Sequence, residues 1–277
     1  MSLDYFGEEF PSQTIRIQSA EGGQATISPY GAHLLSWVTP DADERIYLSP
    51  LAEYRVGAAI RGGVPAIFPQ FAGLGPLPKH GFARTQLWEI AQQADDAVSF
   101  CLSETVKSQL AWPNRFRLDY TLRLVGPRLE MQLTVTNTDN RPFTFTAALH
   151  TYLRVDHLLS ANVQGLQGLI CRPSAGGDPV LESFGPVRFE GEVDRIYQDI
   201  PAPLCLNDGH RKLSINAPGF PDAVIWNPGP EKCAQLGDML PDGYQQFVCI
   251  EAAAITKPIT LPPAQTWHAA QTLTPVS

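Results

Sequence analysis

The chain has 277 residues, which is enough for one large all-β domain or for two domains of ordinary size. Apolar residues make up 44% of it, charged residues 17%, and the net charge is −8, a composition typical of a globular protein. Because no block of like charges occurs, we expect neither nucleic acid nor a membrane as a partner.

The cysteines are scattered along the chain and none forms a CxxC pair, as their positions show: Cys101, Cys171, Cys205, Cys233 and Cys249. An odd and scattered set predicts reduced thiols. The N-terminal segment lacks the apolar core of a signal peptide, and no apolar run reaches the 18 residues of a membrane-spanning helix. We therefore expect a cytoplasmic protein.

Alternation of apolar and polar residues with period two dominates the chain and predicts strands. It is clearest in Phe116–Leu124 and in residues 129–135, which flank a turn at residues 125–128 and predict a β-hairpin. The other predicted strands are Thr14–Gln18, Gln24–Ile27, Leu34–Val38, Ala97–Leu102, Phe143–Tyr152, Leu213–Asn216, Ala223–Trp226 and Phe247–Ala253. Helical periodicity is scarce and predicts only two short helices, at Glu104–Leu110 and Glu231–Met239.

Many strands separated by turns, with 25 prolines and 22 glycines, predict an all-β fold, a large antiparallel β-sandwich with little helix. The glycines and prolines are spread evenly, and no repeat or linker stands out. We therefore expect a single domain over residues 1–277. A sandwich of this length should offer one large sheet face, flat or concave, on which a ligand can lie.

Residues 61–84, RGGVPAIFPQFAGLGPLPKHGFAR, contain nine glycines and prolines, which exclude a long helix or a central strand. This loop carries the cationic residues Arg61, Lys79 and Arg84 together with His80, and it also has apolar side chains that can hold it in place. The arginines are as compatible with plain surface charges as with function when taken alone. The whole loop favours a binding site for an anionic or polyhydroxylated ligand.

His150 lies in the predicted strand Phe143–Tyr152, where the apolar residues at odd positions 143–149 share one face. His150 is on the other, more polar face. An isolated histidine in a strand is more often structural than functional.

Glu251 lies in the apolar segment FVCIEAAAI, with the same parity as Phe247 and Cys249. A carboxylate in such a strand is at the strand's end, paired, or functional. A strand-end glutamate bound to an arginine is an equally good interpretation. If Glu251 is buried, its pKa is raised and it can act as a general base near neutral pH.

Asp194 lies in the segment GEVDRIY, which is also compatible with a solvated turn. We interpret the remaining histidines, His33, His157, His210 and His268, as structural or exposed. No histidine pair has the spacing of metal ligands, and no GxSxG, P-loop or GxGxxG motif occurs. We therefore expect no metal and no other cofactor.

Taken in chain order, several motifs resemble the aldose 1-epimerase superfamily, and more narrowly the glucose-6-phosphate 1-epimerases, or hexose-6-phosphate mutarotases. The motifs that carry this resemblance are Arg61–Pro65 (RGGVP), His80–Arg84 (HGFAR), Ala148–Tyr152 (ALHTY), Asp194–Tyr197 (DRIY), Trp226–Pro228 (WNP), Cys249–Glu251 (CIE) and the tail Leu261–Leu273. The match covers most of the chain, and its combination of motifs is specific where any single one is weak.

The resemblance implies a galactose mutarotase-like β-supersandwich with a sugar on a concave sheet. It maps the family's acid/base histidine onto His150 and its catalytic glutamate onto Glu251. It also implies that the substrate is contacted by Arg61, Lys79, His80, Arg84 and Asp194. Two features depart from relatives: Lys79 stands where many have glutamine, and Phe68–Gly75 lacks a tryptophan.

The expected reaction is exchange between the α and β anomers of a hexose 6-phosphate, most simply glucose 6-phosphate. Glu251 would act as base at O1, and His150 as acid at the ring oxygen, O5. We expect a monomer or a weak dimer. The alternatives are a mutarotase for unphosphorylated aldoses, a sugar-phosphate binding protein without catalysis, and a purely structural sandwich, which leaves the loop unexplained.

Overall fold

The computed structural model describes residues 13–174, 178–182, 184–201 and 203–276, so the N-terminal segment considered above, residues 1–12, lies outside it. The strands of the described part are, in chain order, β1 (Ile15–Gln18), β2 (Gln24–Ser28), β3 (His33–Val38), β4 (Ala66–Ile67), β5 (Glu89–Gln93), β6 (Ala97–Ser103), β7 (Phe116–Val125), β8 (Arg128–Asn137), β9 (Phe143–Leu149), β10 (Tyr152–Arg154), β11 (Asn162–Gln164), β12 (Ile170–Pro173), β13 (Val180–Leu181), β14 (Val193–Tyr197), β15 (Leu204–Asn207), β16 (Lys212–Asn216), β17 (Asp222–Asn227), β18 (Phe247–Leu261) and β19 (Thr266–Val276). The helices are α1 (Val106–Ala111) and α2 (Gly229–Cys233), with 3₁₀ turns at Ala83–Thr85, Leu158–Ser160 and Gly243–Gln246.

Two large antiparallel sheets form the sandwich. The front sheet has the strand order β13-β12-β14-β17-β18-β9-β4, with β10 also paired to β18. The back sheet has the order β11-β15-β16-β19-β8-β7-β6-β5, and β1, β2 and β3 form a smaller third sheet. The prediction of a large antiparallel β-sandwich with little helix is confirmed.

The main core lies between the two large sheets, because one face of each is apolar. In the hairpin β7–β8 of the back sheet, alternate residues such as Leu118 and Tyr120 are fully buried. On β9 of the front sheet, Phe145 and Ala147 belong to the same core cluster. Ala148, of the opposite parity, belongs to a separate cluster on the outer face of the front sheet.

Both predicted helices and the predicted strand Phe143–Tyr152 differ from the structure in their bounds, and β18 continues to Leu261, beyond the predicted end at Ala253. α1 begins after Thr105, whose hydroxyl accepts a hydrogen bond from the Ser108 backbone N–H in a capping box. The second predicted helix is wrong beyond Cys233, where the chain turns and Met239 packs into an apolar cluster instead. The predicted strand Phe143–Tyr152 divides into β9 and β10, because the backbone of Gly63–Pro65 takes hydrogen bonds from this segment at the break.

At two glycines of the 61–84 loop the backbone passes so close to neighbouring atoms that any side chain would collide with them. Gly63 has φ +66°, and an added Cβ would lie 2.3 Å from His33 Nε2. Gly81 has φ +67°, and an added Cβ would lie 2.2 Å from the Phe68 carbonyl oxygen. The only regular elements in this loop are β4, at the edge of the front sheet, and the start of the 3₁₀ turn at Ala83–Thr85, so the loop contains no long helix and no central strand, as its composition predicts.

All five cysteines are free thiols. Of the helices in the described ranges, none has both the length and the apolar character needed to cross a membrane.

Substitution of Gly63 by alanine should destabilise the fold strongly. A left-handed backbone costs a non-glycine residue about 1–2 kcal/mol, and overpacking adds about 1–3 kcal/mol. Gly126→Ala is the matched control, since Gly126 has φ +58° but nothing within 4 Å of an added Cβ. Urea denaturation should show a clearly larger loss of unfolding free energy for Gly63→Ala, and equal losses would contradict the steric explanation.

Candidate active site

A pocket lies on the outer face of the front sheet, and strand register brings its residues together. One row runs from Asp194 on β14 to Trp226 on β17, Cys249 on β18 and Tyr152 on β10. The neighbouring row on the same face includes Glu251 of β18. Alternate residues of β18 therefore divide between the main core and the pocket.

His150 lies directly across from Glu251. Leu149 pairs with Ala252 and Tyr152 pairs with Cys249, so the residue after Leu149 faces the residue before Ala252. The His150 Nε2 and Glu251 Oε1 atoms are 3.2 Å apart, and both side chains are almost fully buried. The parity that separates His150 from the apolar residues of β9 therefore places it on the same face of the sheet as Glu251.

Aromatic rings hold the His150 ring in place. Tyr152 stacks on it with centroids 4.9 Å apart and planes inclined by 15°. His80 and Trp226 each meet it edge to face at 5.7 Å. An imidazole packed on three sides has little rotational freedom, which fixes its position relative to Glu251.

Burial shifts the proton affinities of the pair in opposite directions. The pKa of Glu251 is raised well above its ordinary value by burial and by the nearby Asp194 carboxylate. The pKa of His150 is lowered well below its ordinary value by burial and by the positive charges of Arg84 and Arg61. Both shifts favour uncharged side chains. Among the described residues, neither His150 Nδ1 nor Glu251 Oε2 has a hydrogen-bond partner, although both atoms are buried.

The 61–84 loop brings its four predicted site residues to the same pocket, which is lined by Arg61, Lys79, His80 and Arg84. Gln70 folds the middle of this loop back on itself: its Oε1 accepts from the Leu77 N–H at 2.9 Å, and its Nε2 donates to the Leu77 and Ala72 carbonyls. The backbone around Lys79 and His80 is thereby held in one conformation.

His80 has a defined tautomer. Its Nδ1 accepts a hydrogen bond from the Ala72 backbone N–H at 3.3 Å, so the neutral ring carries its proton on Nε2. Burial lowers the pKa of His80, and the neighbouring Arg84 lowers it further. His80 is thus a neutral hydrogen-bond donor at neutral pH.

Arg61 is held from two sides. Its Nε lies 3.1 Å from both carboxylate oxygens of Asp238, and its Nη1 donates to the Tyr152 hydroxyl at 3.2 Å. Burial alone would lower the pKa of Arg61, but Tyr152 and Asp238 outweigh it and raise the pKa above its ordinary value. Asp238 is a partner that the sequence gave no signal for, because it lies 177 residues away.

Arg84 and Lys79 carry charges that no carboxylate among the described residues pairs with. Arg84 Nη2 donates to the Lys79 carbonyl at 3.1 Å. Burial lowers the pKa of Arg84 to about 10, which leaves it charged at neutral pH. Burial and the neighbouring Lys232 lower the pKa of Lys79.

Asp194 lines the pocket from strand β14 and does not lie in a solvated turn. Burial raises the pKa of its carboxyl above the ordinary value. Lys232 of α2 also lines the pocket and pairs with Glu192 outside it. Sequence reasoning missed Lys232, because an isolated lysine in the last turn of a short helix resembles any surface charge.

All seven residues predicted from the sequence therefore line one pocket: Arg61, Lys79, His80, Arg84, His150, Asp194 and Glu251. Of the other histidines, His33 is buried and its Nε2 lies 2.9 Å from the Gly62 carbonyl oxygen, while His157, His210 and His268 are exposed. No group of three or more His, Cys, Asp or Glu side chains in the described ranges has the arrangement of a metal site.

Comparison with known proteins gives the same architecture. A crystal structure of a putative mutarotase from Salmonella typhimurium superposes with a TM-score of 0.84 and 30% identity, over 92% of this chain and 88% of that one. A galactose mutarotase related enzyme from Lactobacillus acidophilus has a TM-score of 0.78 at 17% identity, covering 96% of this chain and 98% of that one, and so shows the shared fold. The fold is that of the galactose mutarotases.

Sequence comparison gives the family. The family model for aldose 1-epimerase matches residues 13–274. A protein from Cenchrus ciliaris named "Putative glucose-6-phosphate 1-epimerase" is 32% identical over 273 residues, covering 92% of this chain and 82% of that protein. A protein of the same name from Escherichia coli K12 is 33% identical over 259 residues, covering 90% and 86%. The chain belongs to the aldose 1-epimerase family and is an isomerase that acts on the anomeric centre of a sugar.

Replacement of Glu251 by glutamine should stabilise the fold in a pH-dependent way. Above the ordinary pKa of 4.5, the unfolded chain releases this proton while the folded chain, with its raised pKa, keeps it. The folded state then binds more protons, so Glu251 lowers the stability as the pH rises from 4.5. We expect Glu251→Gln to gain about 1–2 kcal/mol of unfolding free energy at pH 8 and little at pH 4.5.

Urea denaturation of both proteins across this pH range measures the difference. Glu21→Gln is the control, since Glu21 is exposed. A gain that does not grow between pH 4.5 and pH 8 would contradict the raised pKa.

Proposed function

We propose that this isomerase interconverts the α and β anomers of a hexose 6-phosphate, with glucose 6-phosphate as its best substrate. The observation that carries the proposal is the charge of the pocket wall: four cationic side chains line it (Arg61, Lys79, Arg84, Lys232) against two acidic ones (Asp194, Glu251). The chain as a whole has a net charge of −8, so this local excess of positive charge is specific to the pocket.

The excess resides in two side chains. Arg61 is paired with Asp238 and Lys232 with Glu192, so most of their charge is balanced. Arg84 and Lys79, which no described carboxylate pairs with, are left to bind a phosphate by charge-assisted hydrogen bonds. The names of the relatives from Cenchrus ciliaris and Escherichia coli support the same substrate class.

The adjacency of His150 and Glu251 suits exchange at an anomeric carbon. O1 and O5 of a pyranose are bonded to the same carbon, C1, so the two groups that exchange protons with them must both reach that end of the ring. The 3.2 Å contact between His150 Nε2 and Glu251 Oε1 provides such a pair.

The proton transfers balance without a metal or a covalent intermediate. Because burial favours the uncharged pair, Glu251 first passes its proton to His150 across their 3.2 Å contact. The Glu251 carboxylate then accepts the O1 proton, the protonated His150 gives its proton to O5, and the C1–O5 bond breaks as C1 becomes a carbonyl. Rotation about C1–C2 and reversal of both transfers close the other anomer. Burial raises the pKa of Glu251 and lowers that of His150, which favours the uncharged pair that accompanies the open chain.

The other pocket residues would orient the sugar. Neutral His80 can donate from Nε2 toward the ring oxygen, and Asp194 can accept from sugar hydroxyls. The unpartnered His150 Nδ1 and Glu251 Oε2 atoms are further polar positions that a hydroxylated ligand would satisfy.

Loss of either proton-transfer group should abolish most catalysis. His150→Ala and Glu251→Gln should each lower the catalysed rate by about 10²–10⁴-fold while the fold is kept. The measurement is NMR exchange between the anomers of glucose 6-phosphate above the spontaneous rate. His210→Ala is the control, since His210 is exposed, and a near-normal rate in either site variant would remove that residue's role.

Loss of a pocket cation should weaken the binding of a phosphorylated sugar far more than the binding of the free sugar. Arg84→Ala and Lys79→Ala should raise KM for glucose 6-phosphate by about 10–100-fold, because each lost charge-assisted hydrogen bond is worth about 1.5–3 kcal/mol. KM for glucose should change far less. Arg61→Ala should act in the same direction. Arg128→Ala, at an exposed hairpin position, is the control.

The same assays distinguish the alternatives. Equal effects of Arg84→Ala on glucose and glucose 6-phosphate would favour a mutarotase for unphosphorylated aldoses. Saturable binding of glucose 6-phosphate with no exchange above the spontaneous rate would favour a binding protein without catalysis.

A further inference from the structure

A chain of contacts runs from Asp238 to the His150 ring. The Asp238 carboxylate holds Arg61 Nε, Arg61 Nη1 holds the Tyr152 hydroxyl, and the Tyr152 ring stacks on His150. His150 in turn contacts Glu251. Each link in this chain of contacts is a hydrogen bond, an ion pair or a ring stack. Asp238 stands at the outer end of the chain of contacts.

Asp238 is itself fixed and shielded. Its backbone carbonyl accepts from the Ser49 hydroxyl at 2.7 Å, and the side chains of Arg61 and Asp238 are only 25% and 20% exposed. Asp238 does not line the pocket, so it is placed to act on Arg61 and not on a substrate. An exposed ion pair has little effect on structure, but a partly buried arginine without its carboxylate would have to move or find another partner.

We propose that Asp238 is a positioning residue that acts through Arg61 and Tyr152 to hold the His150 ring against Glu251. Its charge also balances that of Arg61, which leaves anion binding to Arg84 and Lys79. The first effect concerns turnover of any aldose, and the second concerns the affinity for a phosphate. The inference rests on the proposed acid role of His150.

The decisive variant is Asp238→Ala. Without the carboxylate, Arg61 is free to leave the Tyr152 hydroxyl. The Tyr152 ring, which stacks on His150, then loses the hydrogen bond that holds it. Displacements of about 1 Å at a reacting group cost up to about 100-fold in rate. We therefore expect kcat to fall about 10–100-fold on glucose and on glucose 6-phosphate alike. KM for glucose 6-phosphate should fall or stay the same, because the pocket gains an unbalanced cation.

Glu192→Ala is the matched control. Glu192 also pairs with a pocket cation, Lys232, but neither residue contacts Tyr152 or His150. It should lower KM for glucose 6-phosphate in the same way and leave kcat within about twofold of the unaltered chain. A merely structural role for Asp238 predicts a different pattern, with a raised KM for both substrates.

A double-mutant cycle tests the path of contacts. Tyr152→Phe removes the hydroxyl that Arg61 holds but keeps the ring on His150. If Asp238 acts through this hydroxyl, the combined variant should lose little more kcat than the worse single variant. Losses that multiply would overturn the path, and a kcat of Asp238→Ala within about twofold of the unaltered chain would overturn the proposal.

Two further measurements distinguish an effect on catalysis from a failure of the variant to fold. Thermal unfolding of each variant shows whether it is folded, and Asp238→Asn, which keeps the shape and one acceptor oxygen, replaces the alanine variant if that variant does not fold. For Asp238→Asn, a kcat within about twofold of the unaltered chain overturns the charge-dependent hold. Because kcat is compared on free glucose as well, failure of the phosphate proposal, seen with Arg84→Ala, is distinguishable from failure of this one.

Discussion

The pairing of β18 with β9 and β10 is the constraint on which the site depends. It places His150 opposite Glu251 and sends the residues on either side of each into the core between the sheets. Because side chains alternate along a strand, a slip of one residue would turn His150 and Glu251 into the core and would turn apolar side chains toward the pocket. The apolar core therefore enforces the register, and through it the geometry of the pocket.

The pocket divides into two electrostatic regions. At its floor, burial lowers the pKa of His150 and raises that of Glu251, so it favours the uncharged forms of both side chains. On the loop side, Arg84 and Lys79 have no carboxylate within ion-pair distance in the part of the chain that the structure describes, and Arg84 keeps its charge at neutral pH. Asp238 belongs to the boundary between these regions, since it balances Arg61 and also steadies the aromatic stack under His150.

Much of this arrangement was readable from the sequence because it depends on local patterns. Period-two parity separated His150 from the core residues, Glu251 stood out as a carboxylate in an apolar strand, and the glycines and prolines of residues 61–84 predicted an irregular loop. The contact of Arg61 with Asp238 was not readable, since it joins positions 177 apart that share no pattern. Tertiary contacts also ended α2 early and divided the strand at His150, which propensity alone does not predict.

The long separation of β18 from β9 and β10 in sequence has a consequence for how the protein folds. His150 and Glu251 are about a hundred residues apart in sequence, and the strands that join them are mostly non-local in their pairing. Folds dominated by such contacts form slowly, because closing a long loop costs entropy before the favourable contacts that compensate it have formed. A ribosome-bound chain that ends before β18 lacks Glu251 and with it one wall of the pocket. Recovery of enzymatic turnover during refolding is thus a reporter of completed assembly, whereas circular dichroism also registers earlier hairpins such as β7–β8.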